Sequence, residues 1–84
     1  MKLINAGFGN WIASDRVVSI MSSDSAPAKR MAVTSKKEGR AIDVTGGKKT
    51  RSVIVTDCGY VILSSVQTET LAHRIEGAFD RSEQ

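Results

Sequence analysis

Residues 52–64, with the sequence SVIVTDCGYVILS, carry the clearest structural signal in the chain. Two β-rich apolar runs, Ser52–Thr56 and Tyr60–Ser64, flank a short Asp-Cys-Gly turn, and this pattern is typical of a β-hairpin. Each run is apolar at consecutive positions, so both faces of each strand are suited to burial. We therefore predict that this hairpin forms the centre of the sheet.

The rest of the chain predicts a small, mainly antiparallel sheet with two helices, an α/β fold of the α+β type. A serine ahead of Pro27 and the glycine at position 39 are typical of the two ends of a helix, Ala26–Glu38. A second helix begins near Thr68, and its amphipathic stripe is suited to covering the sheet. That stripe comprises Leu71, Ala72, Ile75, Ala78 and Phe79. Further extended segments are predicted at Leu3–Ala6, Trp11–Ala13, Arg16–Met21 and Ala41–Val44.

The segment that begins at Arg16 contains two valines and an isoleucine, which favour a strand. Period-two alternation places Val18 and Ile20 on one face and gives Arg16 the same parity. At the start of a strand, next to a turn, this arginine can reach out of the sheet. Asp15 and Asp57 are its candidate ion-pair partners.

Two other apolar features lead to expectations about packing. The first helix has only a weak apolar side, which Met31, Val33 and Thr34 supply. Trp11 is interpreted as a core or subunit-contact residue rather than as a platform for stacking nucleic-acid bases.

The 84 residues predict one domain, residues 1–84. No apolar run approaches the ~20 residues of a transmembrane helix. The single cysteine, Cys58, has no partner for an internal disulfide or a zinc site, and a cytoplasmic protein is expected. The net charge of +3 is unevenly distributed, because residues 29–51 carry eight basic and two acidic side chains. This basic centre is suited to a polyanionic partner.

The most basic stretch is TGGKKTR, residues 45–51. Gly46 and Gly47 leave room for a ligand to approach the backbone, and Thr50 offers a hydroxyl beside free amides. Lys48, Lys49 and Arg51 can displace the counterions of a phosphate-bearing partner. The alternative is a solvated hairpin tip that is basic by chance. The sequence of this loop alone leaves both interpretations open.

The sequence lacks a nucleophile–base pair, a paired-carboxylate motif, a cluster of ligands at metal-binding spacing and a P-loop. We therefore expect no enzyme activity, no cofactor, no bound metal and no small-molecule substrate. His73 is interpreted as a surface residue. The few aromatic residues disfavour a single-strand binding surface, and double-stranded DNA becomes the expected ligand.

Several stretches together resemble the RemA family of bacterial regulators of extracellular matrix genes. They are NAGFGN at residues 5–10, SAPAKRM at 25–31, GKKTR at 47–51 and ILSSVQTET at 62–70. The resemblance implies a DNA-binding transcriptional activator of matrix and biofilm genes, with a fold compared to LytTR domains. It also implies a ring-shaped homo-octamer, associated with the nucleoid in the cytoplasm, whose basic rim bends duplex DNA.

The resemblance assigns DNA contacts to Arg16 and to the pair Lys48 and Lys49. Arg51 matches a further basic position, from which we infer the same role, and Pro27 matches a proline whose part we interpret as structural. The family loop usually has tyrosine-glycine and two arginines where this chain has GGKK, residues 46–49. Lysine lacks the planar fork that reads guanine edges, so specificity is expected to depend on DNA shape and bendability.

Two alternatives remain open in the sequence. One is a structural or scaffolding oligomer whose basic side binds an acidic protein. The other is an RNA-binding module, which would recognise the A-form groove and 2′-hydroxyls.

Overall fold

The computed structural model describes residues 2–80, and the side chains of residues 2–77. Within these residues the fold is α+β, as predicted, and a 3₁₀ turn at Ser14–Arg16 precedes the third strand. The elements are β1 (Leu3–Asn5), β2 (Trp11–Ala13), β3 (Val17–Ser22), α1 (Ala26–Lys37), β4 (Ala41–Asp43), β5 (Ser52–Thr56), β6 (Val61–Ser64) and α2 (Thr68–Asp80). Neither helix is long and apolar enough to cross a membrane.

The hairpin β5–β6 lies at the centre of a four-stranded sheet with the order β3-β5-β6-β4, as the sequence predicted. β3, β5 and β6 are antiparallel neighbours, whereas β4 runs parallel to β6, with Ala41 opposite Val61. β4 and β5 are therefore not paired, and the basic stretch between them is not the tip of a hairpin. β1 and β2 form a separate antiparallel pair.

Apolar side chains cover both faces of the central hairpin. On one face, Ile54 and Ile62 pack with Leu71 of α2 and with Ile4 and Ile12 of the β1–β2 pair. The other face presents three further hairpin residues to Ala28 of α1, and Met31 and Ala32 of the same helix pack against that cluster, as do Met21 and Ala41. These hairpin residues are Val53, Val61 and Leu63. The double burial explains why the two strands are apolar at consecutive positions.

Serine hydroxyls close the end of the hairpin. The buried Ser64 hydroxyl donates to the Ala6 carbonyl at 2.7 Å, which connects the two sheets. The Ser52 hydroxyl, also buried, donates to the Val66 carbonyl. Since a buried hydroxyl without a partner costs about 1–3 kcal/mol, these bonds are what allow the paired Ser52 and Ser64 to be buried at the open end of an apolar hairpin.

Two sequence-based expectations about side-chain placement were wrong, those for Val18 and Val33. A β-bulge between Val17 and Ser19 breaks the alternation, so Val17 packs with Ile20 and Val18 is 66% exposed. One extra residue in a strand reverses which face the next side chain occupies. On α1, Val33 is 55% exposed because Ala28, Met31 and Ala32 form the packed side. Trp11, interpreted from the sequence as a core or subunit-contact residue, is 60% exposed, so it is not a core residue of the chain and subunit contact stays a prediction.

The predicted stripe on α2 is correct for Leu71, which is buried, and for Ile75, which packs against the core. Ala72 is exposed. The side chains of Ala78 and Phe79 lie outside the described residues.

Both ends of α1 follow the predicted capping pattern, and the helix ends at Lys37, one residue earlier than expected. The Ser25 hydroxyl accepts a hydrogen bond from the Ala28 amide at 3.3 Å. Gly39 has a φ of +71°, and the amides of Gly39 and Arg40 donate to carbonyls of the last helical turn. This is the Schellman arrangement, in which glycine takes the left-handed position that a side chain disfavours.

We predict opposite effects of alanine at two glycines. Gly39→Ala should lower the free energy of unfolding by about 1 kcal/mol, because alanine is strained at positive φ. Gly77→Ala, inside α2, should raise it by up to about 1 kcal/mol through helix propensity. An added Cβ meets no atom within 4 Å at either position, so packing does not complicate the comparison. Urea unfolding of both variants provides the measurement, and equal shifts of the same sign would contradict this account.

We also predict that Ile54→Ala lowers the free energy of unfolding by about 2–5 kcal/mol, because it opens a cavity in the core. Ile54 is fully buried, whereas Ile42 on the edge strand β4 is 44% exposed. The matched variant Ile42→Ala should therefore cost about 1 kcal/mol or less. Thermal and urea unfolding at one fixed protein concentration compare the two, and similar losses would contradict the assignment of β5 to the core.

Candidate nucleic-acid interface

The stretch from Thr45 to Arg51, called here the basic loop, passes around the end of β6 and is held at both ends. The Val44 amide donates to the Leu63 carbonyl at 2.9 Å, and the Arg51 amide donates to the Ser64 carbonyl at 2.8 Å. Between these anchors the chain turns at Gly46 and Gly47, whose φ angles are +64° and +85°. The loop therefore has a defined path, although most of its residues are exposed.

Asp43 organises the first half of the basic loop. Its Oδ1 accepts hydrogen bonds from the Thr45 hydroxyl at 2.6 Å and from the Thr45 amide at 2.8 Å. These bonds hold the pKa of the Asp43 carboxyl below its ordinary value, and the charge of Lys36 adds a smaller effect. The carboxylate form is thus favoured, and its contribution to the turn is lost as the pH falls through the lowered pKa. The buried Thr45 hydroxyl is engaged here rather than offered to a phosphate.

The second half of the loop is attached to the segment that leads into α1. The Ser23 hydroxyl donates to the Thr50 carbonyl at 2.8 Å, and the Ser23 amide donates to the Arg51 carbonyl at 3.1 Å. The N-terminus of α1 therefore lies close to the basic loop. Its partial positive charge adds to the local potential for an anion. Pro27 stands in the first turn of this helix, where its missing amide hydrogen costs nothing, in keeping with a structural role.

The three cations of the basic loop, Lys48, Lys49 and Arg51, are exposed. Among residues 2–77, the side-chain ion pairs within 4 Å are Arg16–Asp57 and Arg40–Glu38, and neither involves the loop. The loop cations therefore have no carboxylate partner in this range, and their charges remain available to a polyanion.

Arg16 lies at the opposite end of the sheet from the basic loop. In the β3–β5 register, Val17 pairs with Thr56, whereas the loop joins β5 at Ser52. Four residues of extended strand at about 3.3 Å each separate the two ends by about 13 Å. Nη1 of Arg16 is 3.3 Å from Oδ2 of Asp57, one of the two partners expected from the sequence. The chain thus brings Lys48, Lys49 and Arg51 together but leaves Arg16 apart from them.

The turn Gly7-Phe8-Gly9 adds an aromatic ring to the basic loop, and the sequence analysis missed it. Phe8 has a φ of +53°, a left-handed conformation that costs a side-chain-bearing residue about 1–2 kcal/mol. Its ring lies against Gly46, where a Cβ would approach the ring atoms to 2.9 Å. Nζ of Lys48 lies 5.7 Å from the ring centroid, within the range of a cation–π interaction. The sequence did contain a signal for this site, namely an aromatic residue between two glycines. Glycines have no side chains that could cover the ring, so an exposed aromatic group could have been expected.

The described residues offer no candidate metal site. They contain no group of three or more histidine, cysteine or acidic side chains that could hold a metal ion. Cys58 is exposed, and contacts with the Thr56 hydroxyl and the Tyr60 backbone lower the pKa of its thiol. His73 is exposed on α2, as expected.

Comparison with known proteins gives a consistent family assignment. A family profile described as "RemA-like: Extracellular matrix regulatory protein A-like" matches residues 3–75. Three relatives, from Geobacillus thermodenitrificans, Nitratidesulfovibrio vulgaris and Dictyoglomus turgidum, each bear the name "Putative regulatory protein". They are 49%, 53% and 51% identical to this chain over 84, 73 and 84 residues. These alignments cover 100%, 87% and 100% of this chain and 97%, 85% and 98% of the relatives. The chain belongs to the RemA-like family.

Proposed function

We propose that this protein is a transcriptional regulator that binds duplex DNA as a homo-oligomer through its basic loop. The observation that carries the proposal is the exposed group of Lys48, Lys49 and Arg51, anchored at both ends and without a carboxylate partner among residues 2–77. Cations of this kind bind phosphates and release counterions. Family membership and the names of the relatives support a regulatory role. Activation of matrix genes, association with the nucleoid and the absence of enzyme activity belong to the same proposal.

Assembly is the second part of the proposal, because one chain offers few phosphate contacts. Three clustered cations give weak binding, but linked copies raise the avidity by about 10²–10⁴-fold. A ring of eight subunits, as the resemblance implies, would repeat the basic loop along a rim. In such a ring, Arg16 and the basic loop could each contact the same DNA at a different point.

The outer face of the β1–β2 pair is the surface that we propose for subunit contact. Leu3 is 53% and Trp11 is 60% exposed there, while Ile4 and Ile12 point to the core. These two large side chains border a cavity of about 530 Å³ that Arg74 and Gly77 of α2 also line. Neighbouring exposed apolar side chains beside such a cavity are suited to contact with another subunit.

Removal of the two lysines should separate DNA binding from assembly. We predict that Lys48→Ala with Lys49→Ala weakens binding to a long duplex by roughly 100-fold or more, because every subunit then makes two fewer phosphate contacts. The dependence of log K on log salt should become shallower by about 0.9 for each phosphate that is no longer neutralised. Gel shifts and fluorescence anisotropy at several salt concentrations provide the measurement.

The charge-matched control removes Arg30 and Lys37, two exposed cations of α1 that do not line the groove shared with Thr50 of the loop. It should retain most of the affinity, and sedimentation should give both variants the wild-type oligomer mass. Equal affinity of the loop variant and the wild type would disprove the role of the loop. Binding that resists high salt, or that occurs only with acidic protein, would instead favour a scaffold. Preference for structured RNA over duplex DNA in competition would favour an RNA-binding module.

Removal of the exposed tryptophan tests the subunit surface. We predict that Trp11→Ala lowers the oligomer mass in analytical ultracentrifugation at fixed concentration, because it removes most of the apolar area available for contact. Val33→Ala is the control, since Val33 is similarly exposed but lies on α1. An unchanged mass with Trp11→Ala, or an equal decrease with both variants, would show that subunits do not meet on this face.

A further inference from the structure

Phe8 has a left-handed backbone conformation and an exposed aromatic side chain, a combination that an ordinary surface turn does not favour. It is the one non-glycine residue with positive φ among those described, a conformation that glycine or asparagine adopts more readily. Its side chain is nevertheless 57% exposed, so burial in the core does not account for a phenylalanine here. Strained residues of this kind are concentrated at functional sites.

The position of Phe8 is fixed by its neighbours. The Asn5 side chain accepts from the Gly7 amide at 2.7 Å, and the Asn10 side chain donates to the Gly7 carbonyl at 2.9 Å. The ring contacts Gly46, and Lys48 lies over it. A hydrogen-bonded turn therefore presents an exposed apolar group directly beside Lys48 of the basic loop.

We propose that Phe8 is an apolar DNA contact, whose ring enters a groove beside phosphates bound by Lys48 and Lys49 and partly unstacks one base step. This inference rests on the proposed function, because it requires the basic loop to lie on duplex DNA. Apolar side chains that insert between base pairs kink the duplex, and pyrimidine–purine steps such as TA yield most easily. The lysine adjacent to the ring keeps the phosphates within reach while the ring occupies the groove.

A competing role for Phe8 is to position Lys48 or the backbone without touching DNA. The two roles differ in their effect on salt dependence, because removing a phosphate interaction makes the salt slope shallower and removing an apolar interaction does not. They also differ in their response to backbone strain. A residue that merely forms the turn is best replaced by asparagine, which tolerates positive φ.

The experiment compares Phe8→Asn and Phe8→Leu with the full-length wild-type protein. Asparagine relieves the strain and removes the apolar group, whereas leucine keeps the strain and a smaller apolar group. We expect affinity for a TA-containing duplex to decrease in the order wild type, Phe8→Leu, Phe8→Asn. The decrease with asparagine should be roughly tenfold or more, on the scale of one aromatic interaction with a base. The salt slope should stay at the wild-type value in both variants.

Unstacking is measured directly with 2-aminopurine placed at the TA step. Its fluorescence should rise on binding of the wild type, rise less with leucine and stay low with asparagine at saturating protein. Circular dichroism and oligomer mass establish that both variants fold and assemble.

Three results would overturn the inference while leaving the proposed function intact. The first is that Phe8→Asn binds the duplex as tightly as the wild type. The second is that its salt slope becomes as shallow as that of the double lysine variant. The third is that the 2-aminopurine fluorescence with saturating Phe8→Asn equals that with the wild type. Failure of the wild type to bind any duplex, by contrast, would overturn the proposed function itself.

Discussion

The structure depends on the burial of the central hairpin, β5–β6, on both of its faces. Because its strands have no face available for charged residues, helices and a second strand pair must cover it on both sides. The basic loop and the Arg16–Asp57 pair therefore lie at the ends of the sheet. At one end, the carbonyls of Leu63 and Ser64 hold the two ends of the basic loop. The most hydrophobic part of the chain thus fixes the path of its most cationic part.

The electrostatic potential of the loop depends on which groups the carboxylates of the chain pair with. Glu38 and Asp57 pair with Arg40 and Arg16, away from the loop. Asp43 is adjacent to the loop but accepts hydrogen bonds from its threonine hydroxyl and amide, and these bonds lower the pKa of its carboxyl. Its negative charge subtracts from the local potential, while the N-terminus of α1 adds to it. The positive field is therefore carried by three exposed side chains that no described carboxylate pairs with.

The sequence predicted those parts of the fold and of the candidate site that local signals determine. Periodicity and capping specified the hairpin and both helices, and composition alone identified the loop cations. The parallel pairing of β4 with β6 was missed because the sequence of a three-residue strand does not indicate its partner. The bulge at Val18 was missed because the alternation rule assumes a strand without an inserted residue. The resemblance assigned DNA contacts to Arg16 and to the loop without relating their positions, and the β3–β5 register places Arg16 at the other end of the sheet. Phe8 escaped notice because its significance depends on a backbone angle and on contact with Gly46.

In the proposed function, the chemistry of the loop separates affinity from discrimination. Lysine ammonium groups bind phosphates as point charges and read no base pattern, so their contribution is salt-dependent and nearly uniform across sequences. Discrimination then requires an interaction whose strength depends on how easily DNA deforms. If Phe8 contacts DNA as inferred, the ring beside Lys48 would supply such an interaction, because it would gain contact only where a base step opens. Phe8 and Lys48 would then join a salt-dependent and a shape-dependent interaction in a single surface element.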